Sequence, residues 1–68
     1  MHTPIEPNTL SDAAHRSLVN FADLNARAAT TEWLFREWRR NLDFARQGDR
    51  TAIALRDIYN AELTMRGI

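Results

Sequence analysis

The fold of this chain depends on residues 30–45, which read TTEWLFREWRRNLDFA. At the periodicity of an α-helix, one apolar face of this segment collects Leu34, Phe35, Trp38, Leu42 and Ala45. Trp33 and Phe44 fall on roughly the opposite side of the same helix. A helix with aromatic side chains on two faces has two surfaces to bury. The segment therefore predicts either a helix packed between two others or a helix that also contacts a second molecule.

The start of this helix decides between two architectures. Thr30 and Thr31 can cap a new helix, with Glu32 in its first turn. No glycine or proline marks a turn there, however, and a heptad spacing continues through the same point. Its heptad positions are Leu10, Ala14, Ser17, Phe21, Leu24, Ala28, Thr31, Phe35, Trp38, Leu42 and Ala45. The leading interpretation is a break near residues 29–31. The alternative is one long helix over residues 10–47 followed by a short third helix. Two chains with this architecture would dimerise as a helical bundle.

The segments on either side also have the character of helices. Helix one is expected to begin near Thr9 or Ser11, because either side chain can cap a helix. Helix three is bracketed by Gly48-Asp49, a terminating glycine followed by a capping acid, and by Gly67 at its end. No stretch alternates apolar and polar residues with β-branched side chains, so we predict no strand.

The predicted fold class is therefore all-α, a three-helix antiparallel bundle. Its helices are expected at about 10–29, 31–47 and 50–66, in a single helical domain over residues 9–68. Residues 1–8 contain both prolines and are expected to form a flexible N-terminal arm. The predicted core consists of Leu10, Ala14, Leu18, Phe21, Leu24, Leu34, Phe35, Trp38, Leu42, Leu55, Ile58, Tyr59, and Leu63 or Met65.

Composition narrows the class of protein. Sixty-eight residues bury only about 60% of their unfolded surface, and the chain has no cysteine to reinforce a small core. Its two histidines, His2 and His15, cannot complete a metal site, so no metal and no cofactor is expected. The N-terminal residues lack the pattern of a signal peptide, and no apolar run is long enough to cross a bilayer. We therefore expect a cytoplasmic protein with no membrane partner.

The strongest functional candidate is the ridge on helix two formed by Trp33, Arg36, Arg40 and Phe44, which share one face at helical spacing. Tryptophan and arginine are the residue types enriched at the energetic centres of protein interfaces. We predict these four residues as partner-binding, in a small accessory or regulatory protein that binds a larger protein, itself, or both. A homodimer is expected because the apolar arcs are broader than three short helices can bury among themselves.

Nucleic-acid binding is the alternative function, with arginines of helices two and three contacting phosphates. Nine arginines balance nine acidic residues, so the chain has no net charge to attract nucleic acid. Glu62 is a second candidate residue, since it falls near the middle of the apolar arc of helix three and could fix partner choice as a buried polar group. No nucleophile or paired carboxylate stands at a spacing that builds a catalytic site, so no catalytic residue and no enzymatic activity is predicted.

Overall fold

The computed structural model describes residues 10–68 and shows three helices in this range without a strand. They are α1 (Asp12–Ala28), α2 (Thr31–Arg46) and α3 (Arg50–Met65). The prediction of an all-α, three-helix bundle is confirmed. The predicted arm at residues 1–8 lies outside the described residues.

A break separates α1 from α2, so the alternative of one long helix is wrong. Ala29 and Thr30 both have extended backbone conformations. The Thr30 hydroxyl accepts a hydrogen bond from the backbone N–H of Trp33, at 3.2 Å. A side-chain cap thus starts α2 in a segment that contains neither glycine nor proline.

The other helix ends carry similar local signals. The Ser11 hydroxyl accepts from the N–H of Ala14 at 3.1 Å and so caps α1. The Asp49 carboxylate accepts from the N–H groups of Thr51 and Ala52 and so caps α3. Gly48 takes a φ of +91° between α2 and α3, a conformation that side chains disfavour.

Helix α3 is the central helix, because it packs against both α1 and α2 while those two make little contact with each other. Arg50 pairs with Asp12 at one end of α3, and Arg66 reaches the backbone of Ala26 at the other end. Helix α1 therefore runs parallel to α3, and α2 runs antiparallel to both. A shallow groove lies between the end of α1 and the start of α2, lined by Asn25, Ala28, Ala29, Thr30 and Trp33.

Four of the seven buried apolar residues among those described are alanines: Ala22, Ala26, Ala45 and Ala52, beside Leu34, Tyr59 and Leu63. Around the central cluster pack the partly buried residues Ala29, Trp33, Trp38, Leu55 and Ile58. The alanines of α1 face α3 and let the two helix backbones approach closely. Asn41 is also buried on α2, where its amide donates to the carbonyl of Glu37 at 2.7 Å.

Five predicted core residues are in fact exposed: Leu10, Leu18, Phe21, Leu24 and Phe35. On α1 the reason is the orientation of the helix, because packing through Ala22 and Ala26 turns Phe21 and Leu24 roughly a third to a half of a turn away from α3. On α2 the buried face is centred on Leu34, so Phe35 falls at its edge. On α3 the core takes Leu63 and leaves Met65 in solvent.

Arg66 joins the ends of all three helices. Its guanidinium donates to the carbonyls of Ala26 at 3.1 Å and Ala29 at 2.8 Å, which lie at the end of α1. It also donates to the Thr31 hydroxyl of α2 and forms an ion pair with Glu62 of α3 at 2.9 Å. The carbonyls at a helix end have no partner within the helix, and here a side chain from α3 supplies one.

The opposite end of the α1–α3 contact is also tied by polar groups. The His15 ring nitrogen Nδ1 lies 2.7 Å from the buried Thr51 hydroxyl. The Arg50 guanidinium donates to Asp12, and this hydrogen bond and the positive charge lower the pKa of that carboxyl. These contacts fix the lengthwise position of α1 on α3.

Candidate functional site

The predicted ridge on α2 divides into one packed residue and three exposed ones. Trp33 is half-buried and meets Tyr59 edge-on, with ring centroids 5.5 Å apart and planes at 84°. Arg36, Arg40 and Phe44 are exposed. Trp33 therefore contributes to the core, whereas the other three residues remain accessible on the surface.

The Trp33 side of α2 borders the groove. Trp33 lines a shallow depression together with Asn25 and Ala28 of α1. Burial raises the pKa of the Tyr59 hydroxyl, the nearby Glu37 carboxylate raises it further, and Arg40 acts in the opposite direction. Arg40 itself lies 3.7 Å from Glu37. Of the four ridge residues, Trp33 is the one that lines the groove.

Single alanine variants at the two ends of the ridge are expected to behave differently. Trp33→Ala should lower the free energy of unfolding by about 2 kcal/mol, since a half-buried aromatic ring and its contact with Tyr59 are lost. Phe44→Ala should lower it by less than about 1 kcal/mol, because 44% of that residue's surface is already in solvent. Urea unfolding followed by circular dichroism measures both. Equal losses would contradict this division of the ridge.

The most exposed apolar surface on the described chain belongs to α1, and sequence reasoning assigned it to the core. Phe21 is 67% exposed and Leu24 is 71% exposed, and Leu18 is also accessible. We call these three residues the α1 strip. Phe21 and Leu24 occupy heptad positions of the first helix, so the pattern was visible in the sequence, but α3 packs on another face of α1.

A second, mostly apolar series on α1 explains why the strip does not pack against α3. His15, Val19, Ala22, Ala26 and Ala29 follow helical spacing and are the residues shielded by α3. This series is mostly small, whereas the heptad series is large. The presence of two apolar series on one short helix is the sequence signal that could have identified an unpaired face.

The α1 strip is electrically neutral. Every charged residue of α1 lies on another side of the helix: Asp12, Arg16, Asp23 and Arg27. Asp23 and Arg27 line a separate depression between α1 and α3. A molecule that covers the strip would therefore bury apolar surface without burying a charge of this helix.

Glu62 has a structural partner that accounts for its place in the apolar arc. Its carboxylate is largely shielded from solvent and binds the Arg66 guanidinium. The Arg66 guanidinium, in turn, donates hydrogen bonds to the carbonyls at the end of α1. Glu62 therefore lies away from the α1 strip and holds Arg66 in place.

The other arginines of α3 are also engaged with carboxylates. Arg50 pairs with Asp12, and Arg56 pairs with Asp57 at 3.0 Å. A helix that reads DNA presents its cations to phosphates, and this arrangement reduces the charge that α3 could offer.

Comparisons with protein-family models, with curated proteins and with solved structures find no match to this chain. Within residues 10–68, no helix combines the length and apolar character needed to cross a membrane. The same residues contain no cluster of His, Cys, Asp or Glu arranged to hold a metal ion.

Proposed function

We propose that this chain is a small, non-enzymatic protein-interaction module of the cytoplasm, an accessory or regulatory protein that acts by binding protein. The proposed binding surface is the α1 strip together with the exposed ridge residues of α2, Arg36, Arg40 and Phe44. The observation that carries the proposal is the exposure of Phe21 and Leu24 side by side on one helix.

The physical argument concerns free energy in water. Burying a large apolar side chain that is exposed to water is favourable by roughly 1.5–3 kcal/mol. Monomeric proteins seldom expose such side chains in a contiguous patch unless that patch is a binding site. The strip contains three such residues on one helix of a chain with a small core. Aromatic and arginine side chains on the ridge of α2 provide the residue types that dominate binding energy at interfaces.

Site-specific photocrosslinking tests this proposal in cells that make the protein. The photoreactive residue p-benzoylphenylalanine replaces Phe21 in one variant and Arg16 in the control, which is exposed on another face of the same helix. We expect a discrete protein adduct from position 21 and none from position 16, identified by mass spectrometry. The absence of any protein adduct at position 21, or equal adducts at both positions, would refute the proposal. An adduct with a second copy and an adduct with a different protein both support it.

A further inference from the structure

We infer that the occupant of the α1 strip is a second copy of this chain, docked through its own α1 in antiparallel orientation about a two-fold axis near residue 19. This inference rests on the proposed function and names the partner. The two copies then cover each other's strip.

Size complementarity favours this pairing and its register. When the two α1 helices are aligned antiparallel, the two large heptad residues within α1 each stand opposite a small residue of the other copy: Leu24 opposite Ala14, and Phe21 opposite Ser17. A parallel, in-register pair would instead set Phe21 against Phe21 and Ala14 against Ala14. Alternation of large and small residues lets facing helices interdigitate at the density of a protein interior.

The length of α1 limits the area of the dimer interface and therefore the affinity of the two copies for each other. Helix α1 has 17 residues and is therefore about 25 Å long. Two such helices in contact along their length form an interface near or below the lower limit of about 1,200 Å² for specific dimers. We therefore expect a reversible dimer that dissociates on dilution.

Cysteine trapping tests the orientation and the register, and the chain has no cysteine of its own to interfere. Full-length Ala14→Cys and Leu24→Cys variants are prepared separately, oxidised alone, and oxidised as a mixture. The antiparallel register brings position 14 of one copy against position 24 of the other, within reach of a disulfide. We expect a covalent dimer in the mixture and little in either variant alone. A dimer from Ala14→Cys alone would show a parallel pair, and no covalent dimer in any sample would exclude this contact; either result overturns the inference.

A charge placed on the strip provides a second readout that leaves folding intact. Phe21→Asp puts a carboxylate into the apolar contact and is expected to weaken self-association by roughly 30-fold or more. Asn60→Asp adds the same charge at an exposed position of α3, and its dissociation constant should match that of the unmodified chain. Circular dichroism confirms that both variants are folded. Equal self-association of the two variants would overturn the inference even if the photocrosslinks at position 21 show that the strip binds another protein.

Discussion

Arg66→Met is expected to lower the free energy of unfolding by about 2–3 kcal/mol. The substitution keeps much of the side-chain length but removes the donors to the Ala26 and Ala29 carbonyls and leaves the shielded Glu62 carboxylate without its cation. Hydrogen bonds to charged groups contribute about 1.5–3 kcal/mol, and here partial exposure to solvent reduces the sum. In a domain of this size the melting temperature should fall by roughly 10–20 °C.

Two further variants separate the geometry of Arg66 from its charge. Arg66→Lys keeps the positive charge but cannot reach several acceptors at once, so its stability should lie between those of the unmodified chain and Arg66→Met. Arg39→Met removes an exposed arginine of α2 and should change stability by less than about 0.5 kcal/mol. Thermal unfolding followed by circular dichroism provides the measurement. A loss from Arg39→Met as large as that from Arg66→Met would mean that Arg66 does not join the helix ends as described.

Leu34→Ala is expected to have the largest effect of any single substitution, with a loss of about 3–4 kcal/mol. Leu34 is the one large side chain that is fully buried among the described residues, and its removal leaves a cavity between α2 and α3. Phe35→Ala, at the next position, should cost less than about 1.5 kcal/mol because 40% of that residue's surface is already in solvent. Chemical unfolding of the two variants under the same conditions compares them directly. A larger loss in the free energy of unfolding from Phe35→Ala than from Leu34→Ala would contradict the buried face centred on Leu34.

The parts of the fold that local chemistry controls could be predicted from the sequence. The capping residues Ser11, Thr30 and Asp49 act through the backbone N–H groups immediately after them, and Gly48 supplies a backbone conformation. These effects span only a few residues. The number of helices and the break without glycine or proline follow from them.

The direction in which each helix faces could not be predicted in the same way. Trp33 and Phe35 flank the buried Leu34 on either side, and only contact with Tyr59 selects Trp33 for the core. On α1, the small series around Ala22 competes with the large series around Phe21 for the contact with α3. Small residues are favoured where two helices approach closely. Whether α1 can approach α3 closely depends on the shape of the α3 surface, and the periodicity of the α1 sequence carries no information about that shape.

Because the small series of α1 takes the contact with α3, the residues that form the candidate binding site also differ from those predicted. The sequence identified the ridge on α2, of which Arg36, Arg40 and Phe44 are accessible and Trp33 is packed. It also identified the heptad positions of α1 but assigned their side chains to the core of the monomer. Phe21 and Leu24 are instead left in solvent, and the expectation that broad apolar arcs require a partner now applies to a specific helix face.

The mass of the unmodified chain in solution, measured by light scattering across a series of concentrations, tests the central claim most directly. If two copies cover each other's α1 strip, the mass should approach that of two chains at high concentration and fall to that of one chain on dilution. A mass of one chain at every concentration would contradict the account of α1 as a self-pairing helix.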